Sequence, residues 1–442
     1  MWQHLYLVSL ATWVTALPTQ SSSSSGSIHL TSRRRAIVSE SGRVLPEVLT
    51  VFNNTLKKYN VGSYIAPYPG LDGTLSRRQS PVPLVDQCAN GGNDLLYYGP
   101  IKIRDKTFTI DFDTGSADFF VPGSACGTQQ GCAGSSKYDG AGRDLGNTTS
   151  VTYGSGAVTG KNYLDTVTVG NLTATDTNVI ALLQAKGFSN SQSDGLMGMA
   201  FSKLANAKQP TFVERLIAEN KISSKEFCFY LGRCSDNSGS TSEMTIGGRN
   251  PSKFTGTFTT VPLKKQDYWR VAIDGVKAGD IPVAIPGDAI IDTGTTAVVA
   301  SPAYAVPINE AIGGIPVPLG STGSLELIAY AIPCDSKTQI ALTFAGQDLV
   351  MNSKDMTIGT IDISFATLLN HAPLISRVKA AEANPSAVLC LSSILQADVG
   401  VTMNPPVANF NIIGDSFLKN WYSCFSYNGA SGQPGVLFAK SI

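Results

Sequence analysis

The chain has 442 residues, 43% of them hydrophobic and 15% charged, with 33 Lys or Arg against 33 Asp or Glu. That length exceeds one ordinary core, so two domains or lobes are expected. Low charge with 43 Gly excludes a disordered chain and describes a globular, turn-rich one.

In chain order the first element is an address. Trp2 to Ala16, WQHLYLVSLATWVTA, is apolar and carries no Lys, Arg, Asp or Glu. It is too short to span a bilayer and ends in the small-residue site Val14-Thr15-Ala16, so residues 1–16 read as a secretory signal, although a basic start is missing. No later run is long and apolar enough to cross a membrane, so a soluble, secreted mature protein is expected, with a vacuole as the alternative destination. Residues 17–78 follow, opening with the flexible stretch SSSSSG and carrying Arg33-Arg34-Arg35, Lys57-Lys58 and Arg77-Arg78. This segment holds eight basic and three acidic residues, which leaves 25 basic against 30 acidic for residues 79–442. The net zero therefore hides a basic head on an acidic body, and the two attract. Residues 17–78 read as a propeptide cut after Arg78, in the exposed neighbourhood GTLSRRQSPVP. The basic segment is short and the body acidic, so nucleic acid is not the expected partner.

From Tyr97 onward strand signals recur. IKIRDKTFTIDFD, VTYGSGAVTG, LDTVTVG, EMTIGG and QIALTFAG alternate apolar and polar residues and are punctuated by Gly. Helical stretches such as Pro210 to Asn220 are few, and there is no βαβ rhythm or phosphate loop. The body is expected to be all-β, with lobes over 79–250 and 251–442. The two halves rhyme. Asp113-Thr114-Gly115 is followed downstream by Leu196-Met197-Gly198, and Asp292-Thr293-Gly294 by Ile412-Ile413-Gly414. Each pair of apolar residues ends in a Gly, which permits close backbone approach. Two related lobes are expected, each giving one acidic turn to a shared cleft.

Exclusion narrows the chemistry. His4 lies in the signal and His29 in the propeptide, which leaves only His371 in the body, read as a surface-loop residue. No cluster of His ligands for zinc is possible, a serine triad would depend on that one residue, and no CxxC pair is present. Eight Cys in a secreted chain imply disulfides rather than thiol nucleophiles, and Asn53, Asn147 and Asn171 begin glycosylation triplets. Carboxylate chemistry remains. Two carboxyls in contact share one proton. The ionised one takes a proton from a bound water while the protonated one donates to a peptide carbonyl oxygen. Thr114 and Thr293 can bond across the junction, Gly115 and Gly294 let backbone close on the carboxylates, and Ser116 and Thr295 place hydroxyls on the outer oxygens. No cofactor or metal is implied.

IDFDTGSADFFVP, TYGSG, DGLMGMAF, AIIDTGTTAVV and NIIGDSFLKNWYSCF, in this order, resemble the pepsin-like aspartic endopeptidases, in particular secreted fungal members. The resemblance runs from about Tyr97 to Ile442. It implies a bilobal, pepsin-like acid protease fold with pseudo-twofold symmetry and a central active-site cleft, with Asp113 and Asp292 as the catalytic pair. It implies that Tyr153-Gly154-Ser155-Gly156 is the tip of a flap over the substrate, and that Cys126–Cys132 and Cys334–Cys390 are disulfides. Cys88, Cys228, Cys234 and Cys424 are not placed by it, and three pairings stay open. Cys228 and Cys234 are six apart in a strand-like run, too far apart to bond to each other. The expected partners are protein or peptide substrates and the chain's own propeptide in cis, with Lys57 or Lys58 set against the acids as a Lys is in relatives; a monomer is expected.

Three departures from the family pattern stand out. Phe120 replaces the common Trp behind the flap Tyr, Ala117 replaces a common Ser, and Ser155 stands where fungal relatives that accept Lys beside the cut carry Asp. The last implies a preference for apolar or aromatic residues flanking the cut. One rival reading is a non-catalytic pepsin-like binding protein, which would usually have lost an Asp, a turn Gly or the flap. Another is a secreted β-rich carbohydrate-binding protein or glycosidase, which gives no reason for twin acidic turns.

Overall fold

The computed structural model describes residues 79–89, 93–132, 136–153, 156–186, 193–236, 241–322, 325–369, 371–382, 384, 387–429 and 432–442. The proposed signal and propeptide, with Asn53, Lys57, Lys58, Arg77 and Arg78, lie outside them. The described residues all fall in one compact unit, Arg35–Ile442.

The architecture is all-β and bilobal, and the two-residue alternation explains it. In Lys106–Asp113, Phe108, Ile110 and Phe112 enter the main core, so Asp111 and Asp113 take the opposite face. In Gly287–Ile291, Ala289 and Ile291 enter that core while Ile290 joins a second apolar cluster with Phe410 and Ile412.

The internal repeat becomes one topology used twice. Lys106–Asp113 runs parallel to Gly195–Gly198, with Ile110 opposite Gly195 and Asp113 opposite Gly198. Gly287–Ile291 runs parallel to Phe410–Ile413, with Asp288 opposite Phe410 and Ile291 opposite Ile413. Each inserted strand then pairs antiparallel with the strand that follows the acidic turn, Phe120 with Leu196 and Val299 with Ile412. Those strands in turn run parallel to Leu172–Lys186 and Ile394–Gln396. The hairpin Arg143–Tyr153 and Gly156–Val169 extends the first sheet at its edge.

A six-strand platform joins the halves, in the order Ser80–Pro83, Glu243–Ile246, Glu226–Tyr230, Trp421–Ser426, Gly435–Ser441 and Phe254–Gln266. Cys228 and Cys424 are directly opposed on it and disulfide-bonded across 196 residues of sequence. Cys126–Cys132 and Cys334–Cys390 are also bonded. Cys234 is disulfide-bonded too, and the side chain of Cys88 lies outside the described set. The helix expected near Pro210 is Phe212–Ala218, opened by a capping box between Thr211 and Glu214. Pro302–Ala311 and Ala372–Glu382 are helices that strand periodicity did not announce. His371 is half-buried, and its Nδ1 accepts from the Leu374 N–H at the start of the second of these.

The apolar-apolar-Gly motifs are explained by crowding. A Cβ on Gly198 would lie 2.4 Å from the Ala117 nitrogen, and one on Gly414 would lie 2.1 Å from the Thr295 oxygen and 2.3 Å from the Ala297 oxygen. All three neighbours are backbone and have no side-chain freedom with which to move aside. Gly414→Ala is expected to destabilise the protein by about 3 kcal/mol, read as a lower urea midpoint; an unchanged midpoint would show that the turn after Asp292 has room to spare.

Candidate active site

Two strands end in acidic turns that face each other through a symmetric set of hydrogen bonds. Thr114 Oγ1 accepts from the Thr293 N–H at 2.9 Å and donates to the Ile291 carbonyl at 2.9 Å. Thr293 Oγ1 accepts from the Thr114 N–H at 3.1 Å and donates to the Phe112 carbonyl at 2.7 Å. Both threonines are buried, so a closed junction in any other register would leave these groups unpaired and out of reach of water. The grip holds Asp113 and Asp292, each one residue upstream, at the same junction.

Each carboxyl is held in the same way. Asp113 Oδ1 accepts from the Gly115 N–H at 2.8 Å and its Oδ2 from the Ser116 hydroxyl at 2.6 Å. Asp292 Oδ1 accepts from the Gly294 N–H at 3.0 Å, and its Oδ2 accepts a short bond from the Thr295 hydroxyl. The Asp113 carbonyl accepts from the Met199 N–H, and the Asp292 N–H donates to the Ile413 carbonyl. Asp118, later in the same quoted stretch, accepts from Asn206 and Ala207 and pins the loop leaving Asp113.

The remaining candidates fall as follows. Tyr153 and Gly156 are paired in the backbone at the end of the hairpin expected to form the flap. Gly154, Ser155 and the Tyr153 side chain lie outside the described residues. Phe120 is buried with Val151, Val158, Leu182 and Leu196. A cavity of about 40 Å³ opens among Asp111, Phe120, Pro122, Leu182, Asp194 and Leu196, on the strand that leads into Asp113. Asn147 and Asn171 are both exposed.

A family model for eukaryotic aspartyl proteases matches residues 96–432. The chain belongs to this family. An aspartic protease of Phaffia rhodozyma is 32% identical over 356 residues, which is 79% of this chain and 78% of that protein. Cathepsin E of Cavia porcellus is 29% identical over 352 residues, 75% of this chain and 78% of the other. A probable vacuolar protease A of Trichophyton verrucosum (strain HKI 0517) is 29% identical over 384 residues, 82% and 84% respectively. The aspartyl protease is accordingly a hydrolase with aspartic-type endopeptidase activity.

Sequence reasoning passed over two groups that bear on the site of this aspartyl protease. Asp415 lies inside the quoted motif NIIGDSF, directly after Gly414. It is buried, neither of its carboxyl oxygens finds a hydrogen-bond partner among the described residues, and its N–H donates to the Thr295 carbonyl. Burial, and then the nearby Asp292, push its carboxyl well above the usual carboxylate range, which favours its neutral form. Its position in the motif was visible, but its closeness to Asp292 was not.

The second is a buried charge cluster that ties the start of the body to its end. Lys419 donates to Asp94 at 2.5 Å and stands 3.3 Å from Asp355, which also takes a two-pronged contact from Arg233. Asp94 accepts from the Cys234 N–H at 2.7 Å. The acids beside Cys234 do not make a metal site, because that sulfur is in a disulfide and Asp94 is committed to Lys419. Burial, and then the hydrogen bond and charge of Asp94, push the neighbouring Asp86 up to about 9. The native state therefore holds a proton on Asp86 that the unfolded chain releases near the usual carboxylate pKa of about 4. Its contribution to stability is full below that value and is lost as pH rises from about 4 through about 9. Asp86→Asn keeps a donor toward Asp94 without the proton linkage. It should flatten the loss of stability between pH 5 and 8 in thermal scans; an unchanged slope would place the alkaline sensitivity elsewhere.

Proposed function

We propose that Asp113 and Asp292 are the catalytic pair of this aspartyl protease and cut peptide bonds at acidic pH through a water held between them. The observation that carries this is the reciprocal Thr114–Thr293 grip, which brings two acids 179 positions apart to one junction in equivalent settings. Carboxyls so placed share a proton. The ionised member takes a proton from water, the other donates to the carbonyl oxygen, and the water attacks with no covalent intermediate. Gly115, Ser116, Gly294 and Thr295 hold both carboxyls in fixed orientation, so little reorganisation is needed at the moment of reaction. Asp292→Asn should leave the circular dichroism spectrum intact while lowering kcat on acid-denatured haemoglobin by about 10³-fold. Retained activity would remove Asp292 from the mechanism.

Apolar walls at Phe120, Pro122, Leu182 and Leu196 support a preference for apolar or aromatic residues flanking the cut. The hairpin ending at Tyr153 and Gly156 serves as the flap that closes over the substrate and excludes water. A peptide with Phe-Phe at the cut should be hydrolysed faster than its Lys-Phe counterpart, and equal kcat/KM values would refute the preference.

The protein is made as a zymogen in this reading. Residues 1–16 direct secretion and residues 17–78 form a basic propeptide that binds the acidic body in cis, with Lys57 or Lys58 near the acid pair. Falling pH neutralises the body and loosens that grip, and cleavage after Arg78 then separates the two. The mature enzyme works outside the cell, or alternatively in a vacuole, as a monomer on protein or peptide substrates. It needs no cofactor, nucleic acid or membrane. Among the described residues no helix is long and apolar enough to cross a bilayer.

A further inference from the structure

The strand Trp269–Ile273 pairs with Gly287–Ile291, the strand that leads into Asp292, and places Arg270 directly across from Ile290. Trp269, Val271 and Ile273 enter the main core, so Tyr268, Arg270 and Ala272 take the other face. That face carries Ile290, Phe410 and Ile412, against which Tyr268 packs, and two residues beyond Ile290 it carries Asp292. Arg270 thus shares a sheet face with Asp292, one strand away from the strand that leads into that turn.

Its burial is out of proportion to its partners. Arg270 is only 9% exposed, yet its Nε finds no acceptor among the described residues. Its ion partner, Asp267, is 3.8 Å away, beyond hydrogen-bond reach. That carboxylate is already taken, by Lys265 at 3.1 Å and by the Tyr268 N–H at 2.7 Å. Of the other acids on this face, Asp288 is bonded to Lys264, and Asp292 accepts from the Gly294 N–H and the Thr295 hydroxyl. A guanidinium carries five donors in a planar fork, and a buried donor without an acceptor is costly. Its geometry matches a carboxylate taken two-pronged.

We infer that Arg270 is a specificity-determining residue that reads a carboxylate on the substrate. The class of substrate is a peptide with Glu or Asp a short distance from the scissile bond, on the side held by the Asp292 lobe. This rests on the proposed catalytic pair and deepens it. The preferred apolar or aromatic residues flank the cut itself, and the acidic residue lies beyond them. Arg270 touches a non-reacting part of the substrate, so its effect falls chiefly on KM.

The test is a set of internally quenched peptides sharing one apolar cut site, with Glu or Gln placed in turn at each position from two to four residues on either side. Wild-type protein at pH 5.5, where Glu is mostly ionised, should favour Glu over Gln at one position by about tenfold in kcat/KM, the worth of one charge-assisted hydrogen bond. That ratio should fall toward one at pH 3.5, where the Glu is protonated. Arg270→Met keeps the apolar stem and should bring the ratio to one at both pH values, with the change in KM. Arg270→Lys should retain part of it. A wild-type ratio near one at every position, or a ratio that survives in Arg270→Met, would overturn the inference. If Arg270→Met fails to fold, Arg270→Lys carries the attribution, and a wild-type ratio left unchanged in it would overturn the inference. Each protein's rate on the all-Gln peptide is its own reference. Failure of wild-type protein to cut that peptide would overturn the protease reading and this inference with it, whereas cleavage without discrimination would overturn this inference alone.

Discussion

Four hydrogen bonds between Thr114 and Thr293 and their opposite strands are the constraint on which the site depends. They pair the two lobes reciprocally through buried backbone groups, so the junction closes in one register. An acid next to each threonine is then positioned without any contact between the acids having to supply the energy. This matters because two carboxylates repel when both are ionised. The attraction that assembles the pair has to come from elsewhere, and in this fold it comes from neutral groups that do not titrate.

The rest of the architecture stiffens that junction. Gly198 and Gly414 admit the backbone of the crossing turns at distances no side chain would allow. The strands they belong to lock the acidic turns from the flank. Trp269 extends the tie from the second half to the first by donating from Nε1 to the Met199 carbonyl at 2.9 Å. Below, the shared platform and its Cys228–Cys424 bond couple strands from both halves of the chain. Burying Lys419 with Asp94 and Asp355 joins the hairpin near the start of the body to the segment just after Gly414.

Protonation is a structural resource in this protein. Asp86 and Asp415 are buried where burial and neighbouring acids favour the neutral form. Both sit comfortably in acid and are penalised when forced to ionise. The same low pH that suits a proton-sharing pair therefore also suits the scaffold, and stability and the proposed chemistry follow one variable. Arg270 is the opposite case, a buried guanidinium whose Nε finds no acceptor among the described residues.

The sequence by itself determined the repeating two-residue alternation, the twin Asp-Thr-Gly turns and the paired apolar-apolar-Gly motifs. These are local signals, because strand periodicity and turn chemistry act over a few residues. They were enough to imply an all-β bilobal chain and to single out Asp113 and Asp292. Only the tertiary structure decided the partner of Cys228, since excluding Cys234 still left Cys88 and Cys424, and cross-strand register put Cys424 opposite it. Only it showed Asp415 near Asp292, Lys419 beside Asp94, and Arg270 across from Ile290, with 325 residues separating Lys419 from Asp94 and 20 separating Arg270 from Ile290. Helices such as Ala372–Glu382 were missed because their apolar faces are defined by the core they cover rather than by a strong pattern of their own. Proximity between distant segments is set by sheet register and burial, and no window of sequence contains either.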